Sequence, residues 1–274
     1  MRTEILYEDN SILVIRKPAG LAVQSARIGQ ADVVSELKSY LAKPAGLAVQ
    51  SAGIGQPDVV SELKSHLAKL PDTGRLGPGK GEPYLGIVHR LDQPVEGVLV
   101  FAKEKKSAAV LTKQLSAGTL NKQYYAVLCG YPDASEGELV DYLRKEGSVA
   151  VAVTGREMNF PDAKIAKLHY SILEKINQPM PLALADVCIE TGRFHQIRVQ
   201  FAHAGWALLG DTKYGNTTVA GTAGSPAYRG VALCAYSLDF THPGNGKKMS
   251  FRVKPQNPAF EKFTKIPSED IFEG

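Results

Sequence analysis

Residues 86–103 read GIVHRLDQPVEGVLVFAK. Two apolar runs, 86–89 and 97–102, enclose the polar segment RLDQPVE. The β-branched residues predict strands on both sides, and Asp-Gln-Pro predicts a turn between them. His89, Arg90 and Asp92 stand together at that turn. Taken alone, the turn also has a plain reading, in which Asp92 caps it and His89 is satisfied by backbone.

Upstream, residues 4–7 and 12–16 flank EDNS and read as a β-hairpin, which KPAG ends at Pro18 and Gly20. Downstream, strands are predicted at 123–130, 169–175, 182–190, 229–239 and 249–253. Residues 106–115 follow a helical pattern, and so do residues 194–204, with Ile197, Phe201 and Ala204 on one side. There is no regular βαβ alternation. The expected class is α+β, a mixed and largely antiparallel central sheet with flanking helices and loops in one domain spanning 1–274.

The chain contains a tandem repeat. Residues 17–42, KPAGLAVQSARIGQADVVSELKSYLA, recur at 43–68 with changes only at Arg27/Gly53, Ala31/Pro57 and Tyr40/His66. Two copies are too few for a solenoid, so one copy is read as an insertion. Val59, Leu63 and Leu67 form one helical stripe, with Asp58 as its N-cap. The favoured arrangement keeps the first KPAG and the second helix in the native positions. The reverse choice of helix is nearly as good. Residues 70–83, LPDTGRLGPGKGEP, read as a mobile Gly/Pro loop.

The 274 residues are 44% hydrophobic and 22% charged, values of an ordinary globular chain. No apolar run reaches 18 residues, and the N-terminus does not read as a secretory signal. Cys129, Cys188 and Cys234 are odd in number and far apart, which argues for reduced thiols in or near the core and against zinc. These features point to the cytoplasm. A net charge of +4 permits a nucleic-acid partner without demonstrating one. Basic residues gather at Lys103/Lys105/Lys106, Lys113/Lys122, Arg193/Arg198 and Lys247/Lys248. Each cluster alone reads as a solvated face.

No phosphate loop, dinucleotide fingerprint, HExxH or nucleophile elbow is present, so neither a nucleotide cofactor nor a catalytic metal is expected. A second polar stretch, TGRFHQIR at 191–198, opens a helix with cationic side chains where an anion is favoured. The residues alone therefore offer an anion site near a lone carboxylate.

GIVHRLDQPVEGVLVFAK resembles the active-site segment of the RluA-type pseudouridine synthases. Four further segments agree in order: ILYEDNSILVIRKPAGL, NKQYYAVLCG, ETGRFHQIRVQFAHAGWALLGDTKYG and LCAYSLDFTHP. The resemblance spans nearly the whole chain apart from the duplicated copy. It implies isomerisation of uridine to pseudouridine within ribosomal or transfer RNA, without cofactor or metal, and with no expectation of DNA or membrane as partner.

By that resemblance Asp92 is the nucleophile, already ionised at neutral pH. Arg198 pairs with it, a bidentate fork holding its orientation. Tyr124 stacks on the uracil and assists proton removal at carbon 5, while Tyr125 points to the opposite face. Arg90 helps displace the target base, which must leave its stack. His89, Arg193 and His195 contribute at the substrate-binding rim, and Asp211 and Tyr214 stabilise a local turn.

Two departures bear on substrate choice: Val95-Glu96 where the family has Thr-Ser, placing a negative charge near the cleft, and Gln200 where His is common. No S4 module fits before residue 4, so the catalytic domain with its Lys-rich segments must grip the RNA itself. The duplication could occlude the cleft or favour oligomers through chain exchange. Competing readings are a catalytically silent RNA-binding protein that keeps the fold, and a hydrolase using Glu96 as a second carboxylate.

Overall fold

The computed structural model describes residues 2–25, 30–42, 83–177, 179–215 and 230–274. The chain opens with the expected hairpin, β1 (Glu4–Glu8) and β2 (Ile12–Lys17), followed by helix α1 (Val33–Leu41). Next come β3 (Gly86–Ile87), β4 (Glu96–Ala102), helix α2 (Lys105–Ser116) and β5 (Asn121–Cys129). A long hairpin follows, β6 (Glu136–Glu146) and β7 (Val149–Val153), then β8 (Lys164–Ile176), β9 (Leu182–Ile189) and helix α3 (Gln196–His203). The chain closes with β10 (Leu233–Thr241), β11 (Lys248–Arg252) and β12 (Ile271–Glu273).

All described strands join one sheet with the path β1-β2-β4-β10-β5-β9-β8-β6-β7; β11 extends from β10, β12 from β11, and β3 lies on β4. Only the β4–β10 pair is parallel, so the sheet is mixed and largely antiparallel, as expected. Gly97 makes that parallel join possible. Its φ is +133°, and a Cβ there would lie 2.4 Å from the Ala235 carbonyl oxygen.

The central strands are buried on both faces, and side chains alternate between two cores. Ile12, Val14, Val98, Val100, Tyr125 and Val127 pack on one face with α2 residue Leu111 and the C-terminal Phe260 and Phe263. Leu13, Ile15, Leu99, Phe101, Tyr124 and Ala126 pack on the other, with Val33 and Leu37 of α1 and Ile197 and Phe201 of α3. Tyr125 thus leaves the Tyr124 face, as the alternation requires, and stacks on Tyr236 at 3.7 Å between ring centroids.

Helix α1 belongs to the first repeat copy. Its N-cap is Asp32, whose side chain accepts from the Ser35 N–H at 2.7 Å. Glu36 on its first turn accepts from the backbone N–H groups of Arg2 and Thr3 and from the Thr3 hydroxyl, tying the helix to the start of β1. The first copy's helix therefore sits in the core. The second copy, which the sequence analysis favoured for that place, lies outside the described residues, as does nearly all of the 70–83 loop. The β6–β7 hairpin was not expected. Most of its residues are exposed or half-exposed; β7 is apolar throughout, but charged residues interrupt the apolar ones along β6. Of the three free thiols, Cys234 is buried and Cys129 half-buried, but Cys188 is exposed, contrary to expectation.

Candidate active site

The turn between β3 and β4 is tied down by KPAG. Lys17 is fully buried, and its Nζ donates to the carbonyls of Pro18, Leu21 and Gln93 at 3.0, 2.7 and 3.1 Å. Gly20 N–H also donates to the Gln93 carbonyl, and Gln93 Nε2 returns a bond to Gly20 O. Burial pulls the Lys17 ammonium down to about 7, against the pull of Asp92 and Glu96. The backbone beside Asp92 is thereby fixed from below, and the Val95 N–H closes the turn on the Asp92 carbonyl.

Arg198, on the first turn of α3, reaches Asp92. Its Nη1 lies 3.3 Å from Asp92 Oδ2. The Asp92 side chain is 24% exposed, whereas that of Arg198 is 4% exposed. The expected bidentate fork exists but grips a different acid: Arg198 Nε and Nη2 donate to Asp211 Oδ2 and Oδ1 at 2.7 and 2.8 Å. Asp211 also accepts from the N–H groups of Lys213 and Tyr214, so its turn role holds as well. Desolvation disfavours the guanidinium charge, but the bonds to Asp211 and the nearby Asp92 carboxylate outweigh it and hold Arg198 cationic.

His195 precedes α3 with φ 53°, the one non-glycine positive φ among the described residues. Such a conformation persists where surrounding contacts impose it. The Ala150 N–H donates to the Tyr214 oxygen at 2.8 Å, leaving the Tyr214 hydroxyl to donate to His195 Nδ1 at 2.6 Å. The neutral ring then carries its proton on Nε2, which faces Asp92 Oδ2 at 3.7 Å. Burial keeps the ring neutral by lowering its proton affinity, although Asp92 pulls the other way.

Tyr124, His89, Arg90, Asp92, Arg193, His195 and Arg198 all line one cavity of about 310 Å³. Tyr124 forms its wall from β5, and burial raises the phenol well above its usual range, so it stays protonated. Arg90 is exposed, with Nη2 held 3.3 Å from Gln24 Oε1. Arg193 is anchored through Nε to the Ile165 carbonyl at 2.9 Å.

Of the residues that depart from the family pattern, Val95 lines this cavity, whereas Glu96 and Gln200 do not. Glu96 is buried, and its carboxylate accepts from the N–H groups of Gln256 and Asn257 at 2.9–3.1 Å. Desolvation raises its pKa, and those N–H groups oppose the rise. Glu96 therefore adds no charge to the cleft and offers no second carboxylate for hydrolysis. Gln200 is fully buried and donates to Leu139 O, Ala166 O and Asp141 Oδ2, a fastening for α3. Among the basic clusters, Lys103 is engaged with Glu8 and the Asp9 carbonyl. Lys122 lies in the cavity instead of on a solvated face.

The RNA pseudouridylate synthase family pattern matches residues 11–203. Ribosomal large subunit pseudouridine synthase D of Zymomonas mobilis is 31% identical over 262 residues, 93% of this chain and 70% of that protein. The protein of the same name from Pseudomonas aeruginosa is 31% identical, over 90% of this chain and 67% of its own length. Human RNA pseudouridylate synthase domain containing 4 superposes with a TM-score of 0.63 at 22% identity, covering 94% of this chain and 92% of that one, and so shares the fold. The chain belongs to the RNA pseudouridylate synthase family. It is an isomerase that converts uridine within RNA to pseudouridine. Among the described residues no helix is long and apolar enough to cross a membrane.

Proposed function

We propose that the substrate is a uridine of large-subunit ribosomal RNA, everted into the cavity and engaged there by Asp92. The choice of RNA follows the names of the bacterial relatives, and cytoplasmic action follows from that choice. The observation that carries the residue assignment is the open-faced Asp92 carboxylate, flanked by Arg198 at 3.3 Å and His195 at 3.7 Å in a cavity walled by Tyr124.

Asp92 supplies the attacking oxygen, ionised without a base to activate it. Arg198, itself locked by Asp211, fixes the direction of that oxygen. Tyr124 offers its ring as a stacking surface for the uracil. Arg90 at the exposed edge fills the space that the everted nucleotide leaves, while His89, Arg193 and His195 contact the substrate.

The test is to incubate the full chain with unmodified large-subunit ribosomal RNA and map pseudouridine, with and without Asp92→Asn. Site-specific gain that vanishes in the variant is expected. RNA binding with no gain from the unsubstituted chain would mean a silent binder. Gain persisting in Asp92→Asn would remove Asp92 from the chemistry.

A further inference from the structure

Two donors on residues that line the cavity have no protein partner among the described residues. Lys122 lies on β5 two residues before Tyr124, hence on the same face of the strand. It lines the cavity, and no hydrogen bond or ion pair holds it among the described residues. His89 is nine-tenths buried and lines the same cavity. Its Nε2 accepts from the Val100 N–H at 3.4 Å, so the neutral ring carries its proton on Nδ1. That Nδ1 is buried and lacks a partner among the described residues. Burial and the charge of Lys122 both keep His89 neutral, and burial disfavours the charge of Lys122. A desolvated cation without a counter-ion, and an orphaned N–H on a residue that lines the same cavity, are both costly to the folded chain alone. Both costs fall when an anionic oxygen enters.

We propose that Lys122 and His89 form a donor pair that binds a carbonyl oxygen of the uracil and stabilises the base as an anion while it is detached. This rests on the reading that a uridine occupies the cavity. When the bond from N1 to C1′ breaks, with an oxygen of Asp92 taking C1′, the bonding pair leaves with the base. The negative charge spreads over N1 and the two carbonyl oxygens. Carbon 5 then bonds C1′ as Asp92 departs with its own pair, the carbon-5 proton is lost, and N1 takes one up. Donors placed where charge develops act on the rate of the bond-breaking step more than on binding.

The experiment uses the full chain and transcribed large-subunit ribosomal RNA under single-turnover conditions, with Lys122→Met and Lys122→Arg. Lys122→Met is expected to slow pseudouridine formation by about 10²-fold, with RNA affinity and its salt dependence unchanged. Its melting temperature should equal or exceed that of the unsubstituted chain, because a half-buried charge without a partner is gone. Lys122→Arg should restore most of the rate. In RNA carrying 5-fluorouridine, whose fluorine itself stabilises the base anion, the Lys122→Met deficit in loss of the target nucleotide should shrink.

An unchanged rate in Lys122→Met overturns the proposal. So does a loss confined to affinity with a shallower salt slope, which would make Lys122 a phosphate contact. A deficit equally large on 5-fluorouridine RNA also counts against it. If the unsubstituted chain modifies no uridine, the parent reading fails, and this pair has no base to hold. If it modifies one and Lys122→Met does so equally fast, only this inference fails.

Discussion

Asp92 and Glu96 stand four residues apart on the same turn and strand, yet their surroundings differ in kind. Asp92 keeps a quarter of its side chain open and faces a guanidinium and an imidazole N–H. Glu96 is sealed and held by backbone N–H groups from the C-terminal segment. A carboxylate that must act on a ligand needs a free approach and cationic neighbours that orient it. A carboxylate that fastens two segments needs its acceptor capacity filled and water kept out. Acidity of sequence position says nothing of this; the partners decide.

The sharpest way to break the comparison is to substitute each acid in turn. Asp92→Asn should reduce pseudouridine formation by about 10³-fold or more while leaving the melting temperature nearly unchanged, because a loss confined to the chemical step appears in rate alone. Arg198→Lys comes next. It loses the planar fork to Asp211 and the third nitrogen toward Asp92, so activity should fall by about 10²-fold and stability by about 3 kcal/mol. Glu96→Ala should do the converse of Asp92→Asn. It orphans two backbone N–H groups, lowering stability by about 2 kcal/mol, with the single-turnover rate at permissive temperature within a few-fold of the unsubstituted chain. Chemical denaturation and rates measured on the same preparations check all three. A Glu96→Ala chain that folds normally but turns over slowly would erase the distinction.

The sheet was legible from sequence because its central strands are apolar runs bounded by turn residues, as at Ile12–Lys17 and Glu96–Ala102. The β6–β7 hairpin was not, although VAVAV of β7 is a plain apolar run, because charged residues interrupt the apolar ones along β6 and its sides are half in water. The cavity residues were named through family resemblance, and they do converge. What the sequence hid are the pairings across long stretches of chain. Glu96 meets Gln256, 160 residues on, and turns away from the cleft. Arg198 spends its fork on Asp211, which the turn motif GDTKYG presented as a local stabiliser. Lys122 resembled any surface lysine until strand register put it on the Tyr124 face. Charge type is written in the sequence, but burial and partner are set by tertiary contact.

The smallest expected effect concerns pH, where the two regions should respond with opposite sign. On the cavity side, burial lowers the pKa of His89 well below 6.5. The folded state thus resists a proton that the unfolded chain accepts, so this contribution to stability is complete above pH 6.5 and is lost as pH falls. His195, also lowered by burial, adds to the same slope. On the sealed side, desolvation raises Glu96 above 4.5. Its contribution is greatest below pH 4.5 and declines as pH rises through the folded value. Acidification from pH 6.5 should therefore cost stability at no more than about 1.4 kcal/mol per pH unit for each proton, partly offset by Glu96 just above pH 4.5. His89→Gln should flatten the loss below pH 6.5. Glu96→Ala, lacking the offset, should steepen it toward pH 4.5. Denaturation midpoints from pH 4.5 to 8 for the three chains decide the matter, and parallel curves would mean that neither burial is coupled to folding in the way the two sites require.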